Sequence, residues 1–135
     1  MGTRGTILVV EDNPDIADLL RETLAEAGYR VLPAATPDAA RQILAAFRVG
    51  LVLTDAFHGA PGAPGTIWDD LDPLVGLAGD APLVLCSAHD PALYADFAAH
   101  GFTAALPKPF DLDDLLALVA TLLPADRTLG TPGQG

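Results

Sequence analysis

Five polar side chains in this 135-residue chain close four apolar runs, and their types define a chemistry. Ile7-Leu8-Val9-Val10 runs into Glu11 and Asp12, Leu51-Val52-Leu53-Thr54 into Asp55, and Leu83-Val84-Leu85-Cys86 into Ser87. Thr103-Ala104-Ala105-Leu106-Pro107 runs into Lys108. If these runs are parallel strands, their C-terminal ends share one edge of a sheet, where open α/β sheets place their sites. Three carboxylates gathered there cannot all stay ionised without a counter-charge. Oxygen-only ligands favour magnesium, which keeps several waters and accepts phosphate oxygens beside them. Lys108 supplies a point charge across the crevice, and the Ser87 hydroxyl can donate to a phosphoryl oxygen. Asp55 ends the central strand and is placed to attack phosphorus, giving an acyl phosphate.

The elements that must position these groups alternate along the chain. Strands are predicted over residues 6–11, 30–34, 50–55, 82–87 and 103–106. The first helix follows Asn13, a good N-cap, with Pro14 at its first position. Ile16, Leu19, Leu20, Thr23 and Leu24 share its inward face, and Gly28 stops it. Thr36 caps a second helix with Ala40, Ile43, Leu44 and Phe47 inward. A Gly/Pro-rich loop spans residues 56–66. A third helix runs from about Trp68 to Leu77, short or irregular because of Pro73. Further helices are predicted over 91–100, ended by Gly101, and over 111–123. Five βα units imply an α/β fold: a doubly wound five-stranded parallel sheet, flavodoxin-like (βα)5, in strand order 2-1-3-4-5. Residues 1–123 are expected to form the single domain and 124–135 a flexible tail.

Composition narrows the function. Half of the residues are hydrophobic, enough for one core, and the formal net charge of -11 repels nucleic acid and anionic lipid. Neither is an expected partner. The single Cys86 sits in an apolar run and reads as a small buried hydrophobe; one cysteine suits a reducing cytoplasm. No signal-peptide core and no apolar stretch of about 20 residues is present, so a cytoplasmic protein is expected.

The pieces Val10-Glu11-Asp12-Asn13-Pro14-Asp15, Leu51-Val52-Leu53-Thr54-Asp55, Pro82-Leu83-Val84-Leu85-Cys86-Ser87-Ala88 and Lys108-Pro109-Phe110 occur in that order. Together they resemble a bacterial response-regulator receiver domain of two-component signalling, from about Thr6 to Leu123. The resemblance implies phosphorylation of Asp55 by a histidine kinase or a histidine phosphotransfer protein. It implies magnesium held by Glu11, Asp12, Asp55 and the backbone carbonyl of Phe57. Ser87 would be the switch hydroxyl, Lys108 would bind the phosphoryl group, and Pro109 would follow a cis peptide. Such a module is not an enzyme beyond self-phosphotransfer and autodephosphorylation. It works as a monomer or weak homodimer and signals by contact with a downstream protein.

The chain departs from that family at three places. Ala105 stands where an aromatic residue usually follows the movement of the hydroxyl. His58-Gly59 replaces the usual Met-Pro after the phosphoacceptor. Residues 90–100 hold no Lys or Arg, and the last helix opens with Asp111, Asp113 and Asp114, so paired charges cannot form a dimer face there. The outward side of that helix, with Ala117, Leu118, Ala120 and Thr121, is a candidate docking patch. Phe57 and His89 are candidates for gating water at the site; His58 and His89 lack any zinc-ligand spacing. These departures keep one alternative open, a phosphorylation-independent pseudo-receiver scaffold. A phosphatase would want a second acid where Phe57 stands.

Overall fold

The computed structural model describes residues 5–56, 66–87, 92 and 94–123. Its strands are β1 (Thr6–Val10), β2 (Arg30–Ala34), β3 (Leu51–Asp55), β4 (Leu83–Ser87) and β5 (Ala104–Pro107). Its helices are α1 (Pro14–Glu26), α2 (Pro37–Ala46), α3 (Trp68–Ala78) and α4 (Leu112–Leu122). The strands form one parallel sheet in the order 2-1-3-4-5, as the sequence predicts. β1, β3 and β4 are buried almost throughout because helices cover both faces. The edge strands β2 and β5 are more exposed, and each carries a proline, Pro33 and Pro107.

Alternation along the strands sorts the core into two layers. Ile7, Val9, Leu51, Leu53, Val84 and Cys86 pack with Leu20 and Leu24 of α1 and Leu115 and Val119 of α4. Leu8, Val10, Val52, Leu83 and Leu85 pack with Ala40 and Leu44 of α2 and Leu71 and Leu74 of α3. Side-chain caps fix where the helices start. Asn13 Oδ1 accepts from the N–H groups of Asp15 (2.9 Å) and Ile16 (3.2 Å). Thr36 Oγ1 accepts from Ala39 N–H (3.1 Å), and Asp111 Oδ1 from Asp113 N–H (3.0 Å). Each such cap contributes about 1 kcal/mol. α1 stops where Gly28 turns at a φ of 102°.

The structure corrects several expectations. α3 runs for 11 residues straight through Pro73. Its first turn is braced instead: Asp69 Oδ2 accepts from Thr66 N–H (3.0 Å), and Thr66 Oγ1 from Trp68 N–H (3.2 Å). The described part of 91–100 is not an α-helix. Phe97, Ala99, His100 and Gly101 donate to the carbonyls three residues back, at 3.0–3.1 Å, giving tight turns rather than α-helical pitch. Contacts to α3 accompany that geometry: Trp68 Nε1 donates to Asp96 Oδ1 at 3.2 Å, and the Trp68 ring stacks on His100. The described residues therefore hold four helices rather than five.

Leu19 and Phe47, predicted inward, are 49% and 55% exposed. Phe47 is the C-cap of α2 in extended conformation, so it has left the helix's inward stripe. On α1 that stripe is narrower than the pattern implied, centred on Leu20 and Leu24. On α4, Leu118 is half-buried against the core, whereas Ala117 and Thr121 face outward. The expected tail, 124–135, lies outside the described residues.

Leu115 is fully buried and Phe47 is not, so two truncations should separate widely. Leu115→Ala should destabilise by about 2–5 kcal/mol and Phe47→Ala by no more than about 0.5 kcal/mol, read from urea unfolding.

Candidate functional site

Register builds the site. Val10 pairs with Thr54, so Glu11 and Asp12, just beyond β1, arrive beside Asp55 at the end of β3. Glu11, Asp12 and Asp55 each offer a carboxylate oxygen within 4.8 Å of the others, and they grade from buried Glu11 to exposed Asp12. Lys108, the chain's only lysine, follows β5 and reaches across. Its Nζ donates to Glu11 Oε1 at 2.8 Å and to Asp55 Oδ1 at 3.0 Å. Its backbone N–H donates to the Ser87 carbonyl at 2.7 Å, and the Lys108–Pro109 peptide is cis. Ser87 ends β4 opposite Pro107 and is buried.

One contact was missed from the sequence. Asn13, read only as a helix cap, also donates its backbone N–H to Glu11 Oε2 at 3.2 Å. The Glu-x-Asn spacing at a strand-to-helix turn was the available signal. Phe57, His58, Gly59, Ala88 and His89 lie outside the described residues, so the expected carbonyl ligand and the water gate rest on the sequence alone.

Burial raises the Glu11 pKa, outweighing the hydrogen bonds from Lys108 and Asn13, and the nearby Asp55 charge adds to the rise. Burial works against the Lys108 ammonium, yet its hydrogen bonds to Glu11 and Asp55 prevail and hold its pKa above the ordinary value. The buried Cys86 thiol is pushed up to about 12 and is inert at neutral pH. With every acid ionised, Lys108 leaves two negative charges uncompensated in a cluster of oxygen donors. That donor set fits a hard divalent cation.

Comparison with known proteins places this geometry. Residues 7–120 match the model of the response regulator receiver domain. The chain belongs to that family: it is a receiver domain of two-component response regulators. It is 32% identical over 126 residues to the phosphoglycerate transport system transcriptional regulatory protein PgtA of Salmonella typhimurium, covering 92% of this chain and 29% of that protein. It is 31% identical over 122 residues to the DNA-binding transcriptional regulator NtrC of Rhizobium meliloti, covering 90% of this chain and 24% of that protein. The chain thus spans under a third of the length of these relatives. Among solved structures, the receiver domain of a sensor histidine kinase from Pseudomonas aeruginosa superposes with a TM-score of 0.71 at 24% identity. That alignment covers 91% of this chain and 98% of that one, and that structure holds a magnesium ion in its active-site cleft.

The charge arrangement makes two substitutions differ in sign. Lys108→Ala strips the buried Glu11 of its counter-charge and should destabilise by about 3 kcal/mol at neutral pH. Asp55→Asn removes one of the mutually repelling acids and should leave stability unchanged or raise it by up to about 1 kcal/mol. Urea unfolding in the absence of divalent ions reads both.

Proposed function

We propose that Asp55 is the phosphoacceptor of a two-component phosphorelay, charged by a histidine kinase or a histidine phosphotransfer protein. The observation that carries this reading is the Lys108 bridge to Asp55 and Glu11 beside a three-carboxylate cluster. A carboxylate oxygen of Asp55 attacks the phosphorus of a phosphohistidine. The P–N bond breaks, its electron pair stays on the imidazole, which takes up a proton, and an acyl phosphate forms on Asp55. Lys108, already 3.0 Å from Asp55 Oδ1, is preorganised to meet the phosphoryl oxygens. Ser87 is the hydroxyl that donates to the phosphoryl group. Glu11, Asp12 and Asp55 would hold a magnesium ion, with the Phe57 carbonyl expected as a further ligand, and its charge would offset that on the transferring oxygens.

The donor needs a landing surface beside Asp55. A largely apolar groove of about 430 Å3, lined by Ile16 and Leu19 of α1 and by Pro109, Phe110 and Leu112, opens next to Lys108. Leu19 is the exposed hydrophobic of that groove. The half-exposed leucine suits a helix of the phosphodonor laid along α1. The output is a protein contact, since an acidic surface of this size disfavours nucleic acid for this domain, and the setting is the cytoplasm. No described helix is long and apolar enough to cross a membrane. Among the described residues of the site, none favours the phosphorylation-independent scaffold.

Acetyl phosphate with magnesium should add one phosphoryl group by intact mass; Asp55→Asn and chelation should each abolish the adduct. An undiminished adduct on Asp55→Asn would sink the assignment. Leu19→Asp should slow transfer from a phosphodonor protein about tenfold, a loss of ~1.4 kcal/mol, while leaving acetyl phosphate labelling unchanged.

A further inference from the structure

Residues 94–103, which lead into β5, are held against α3, and one histidine is central to that contact. His100 Nδ1 lies 2.9 Å from Asp72 Oδ1 of α3, and its Nε2 lies 3.2 Å from Asp96 Oδ2 of its own segment. Carboxylates only accept, and a neutral imidazole carries a single N–H. Both contacts are hydrogen bonds only when both ring nitrogens are protonated. The ring lies on Trp68 with centroids 4.1 Å apart and planes within 6°, which sets a cation over an aromatic face. Trp68 in turn donates to Asp96. Gly101, at a φ of 94°, then brings the chain so close to α3 that an added Cβ would meet Val75 Cγ1 at 2.7 Å. Trp68, Asp72 and Val75 lie three and four residues apart, so one face of α3 makes all these contacts.

Neither α3 nor the residues from β4 to β5 carry a lysine or arginine. The sequence has none between Arg48 and Lys108. Around the ring stand Asp72 on α3 and Asp96 on the segment itself; Asp69 and Asp70 occupy the first turn of α3, with Asp69 engaged by Thr66 N–H. Phe102 and Thr103, leading into β5, carry no charge. The charged groups that α3 and residues 94–103 place near the ring are therefore all acidic. The hydrogen bond to Asp72, followed by the charges of Asp72 and Asp96, raises the His100 pKa against the opposing effect of desolvation.

We propose that His100 is a proton-operated clamp: protonated, it holds residues 94–103 on α3, and deprotonated, it loses one carboxylate contact and loosens them. This segment lies in the chain between the Ser87 end of β4 and the strand that carries Ala105. Resting on the assignment of Asp55 as phosphoacceptor, the clamp also sets how readily this segment rearranges once Ser87 engages a phosphoryl group. Proton and phosphoryl inputs then act on one element. Because the folded pKa is raised, the clamp's stabilisation is complete below the unfolded value near 6.5 and fades as pH rises through the folded one.

Trp68 is the chain's only tryptophan, so its emission reports the clamp directly. Emission and the His100 ring resonances would be followed on the full chain from about pH 5 to about pH 9. The expected result is one shared transition with a midpoint above 6.5, emission rising as the imidazolium is lost, and the amides of 94–102 shifting with it. His100→Gln should abolish the change in emission, and Asp72→Asn should lower the midpoint. A His100 midpoint at or below 6.5, or Trp68 emission flat through that titration, overturns the clamp, and the wild-type NMR titration decides this even if a variant fails to fold. Beryllofluoride with magnesium should move the His100 midpoint. Adduct formation without such a shift overturns the coupling alone, and failure to form any adduct counts against Asp55 as phosphoacceptor, not against the clamp.

Discussion

Glu11, Asp12 and Asp55 repel one another, and the Lys108 ammonium is what lets them share an edge of the sheet. Two unit charges 4 Å apart interact by about 4 kcal/mol at an effective dielectric of about 20, a large fraction of the stability of a small domain. Glu11 is buried and so depends most on the counter-charge. The strand order follows the same constraint. The order 2-1-3-4-5 pairs β1 with β3 and leaves β5 on the far side of β4, from where the long Lys108 side chain reaches back to Glu11 and Asp55. The hydrogen bond from Lys108 N–H to the Ser87 carbonyl fixes the stem of that reach, so the charge and the hydroxyl are tied to one backbone contact.

What happens beyond Ser87 differs from the pattern seen in the family's sequence signature. Ala105 pairs with Leu85 and brings no ring to the strand. The aromatic material enters the same layer from other elements: Trp68, Tyr94 and Phe102 are buried in the layer shared with α3, against which Ala105 also packs. Trp68 and Phe102 are tilted against each other with centroids 5.5 Å apart. The bulk that could feel a movement at Ser87 thus belongs to the β4–β5 segment and α3 instead of to β5.

Much of this was legible in the sequence, for a physical reason. A central parallel strand is covered on both faces, so it must be written as an unbroken apolar run, and its end is marked by the first residue that can face the crevice. The strands ending at Val10, Asp55 and Ser87 were readable in this way, as were the caps Asn13 and Thr36, which act through local geometry. Asp111 was read only as an acid opening the last helix, and the structure makes it that helix's cap. What failed was what tertiary contact decides. Periodicity put Leu19 and Phe47 inward without knowing where the stripe of α1 narrows or where α2 lets go. Residues 94–101 have the composition of a helix, since Ala favours one, but their side chains answer to α3. His100 carried no motif; its meaning comes from Asp72, 28 residues away. Asn13 had a sufficient local role, which hid its second one toward Glu11.

The two edges of the sheet bear on how the molecule behaves in company. β2 and β5 are the open edges of a five-stranded sheet, and an open edge is a template for a strand from another molecule. Pro33 stands one residue from the end of β2, on the alternation that turns away from β1 because Arg30 donates to Gly5, and a proline cannot donate to a new ladder. β5 is only four residues long and offers little to pair with. With a net charge of -11 adding mutual repulsion, strand addition is discouraged on both flanks. The sheet can offer its carboxylate-bearing edge to a partner while its lateral edges are guarded against strand addition.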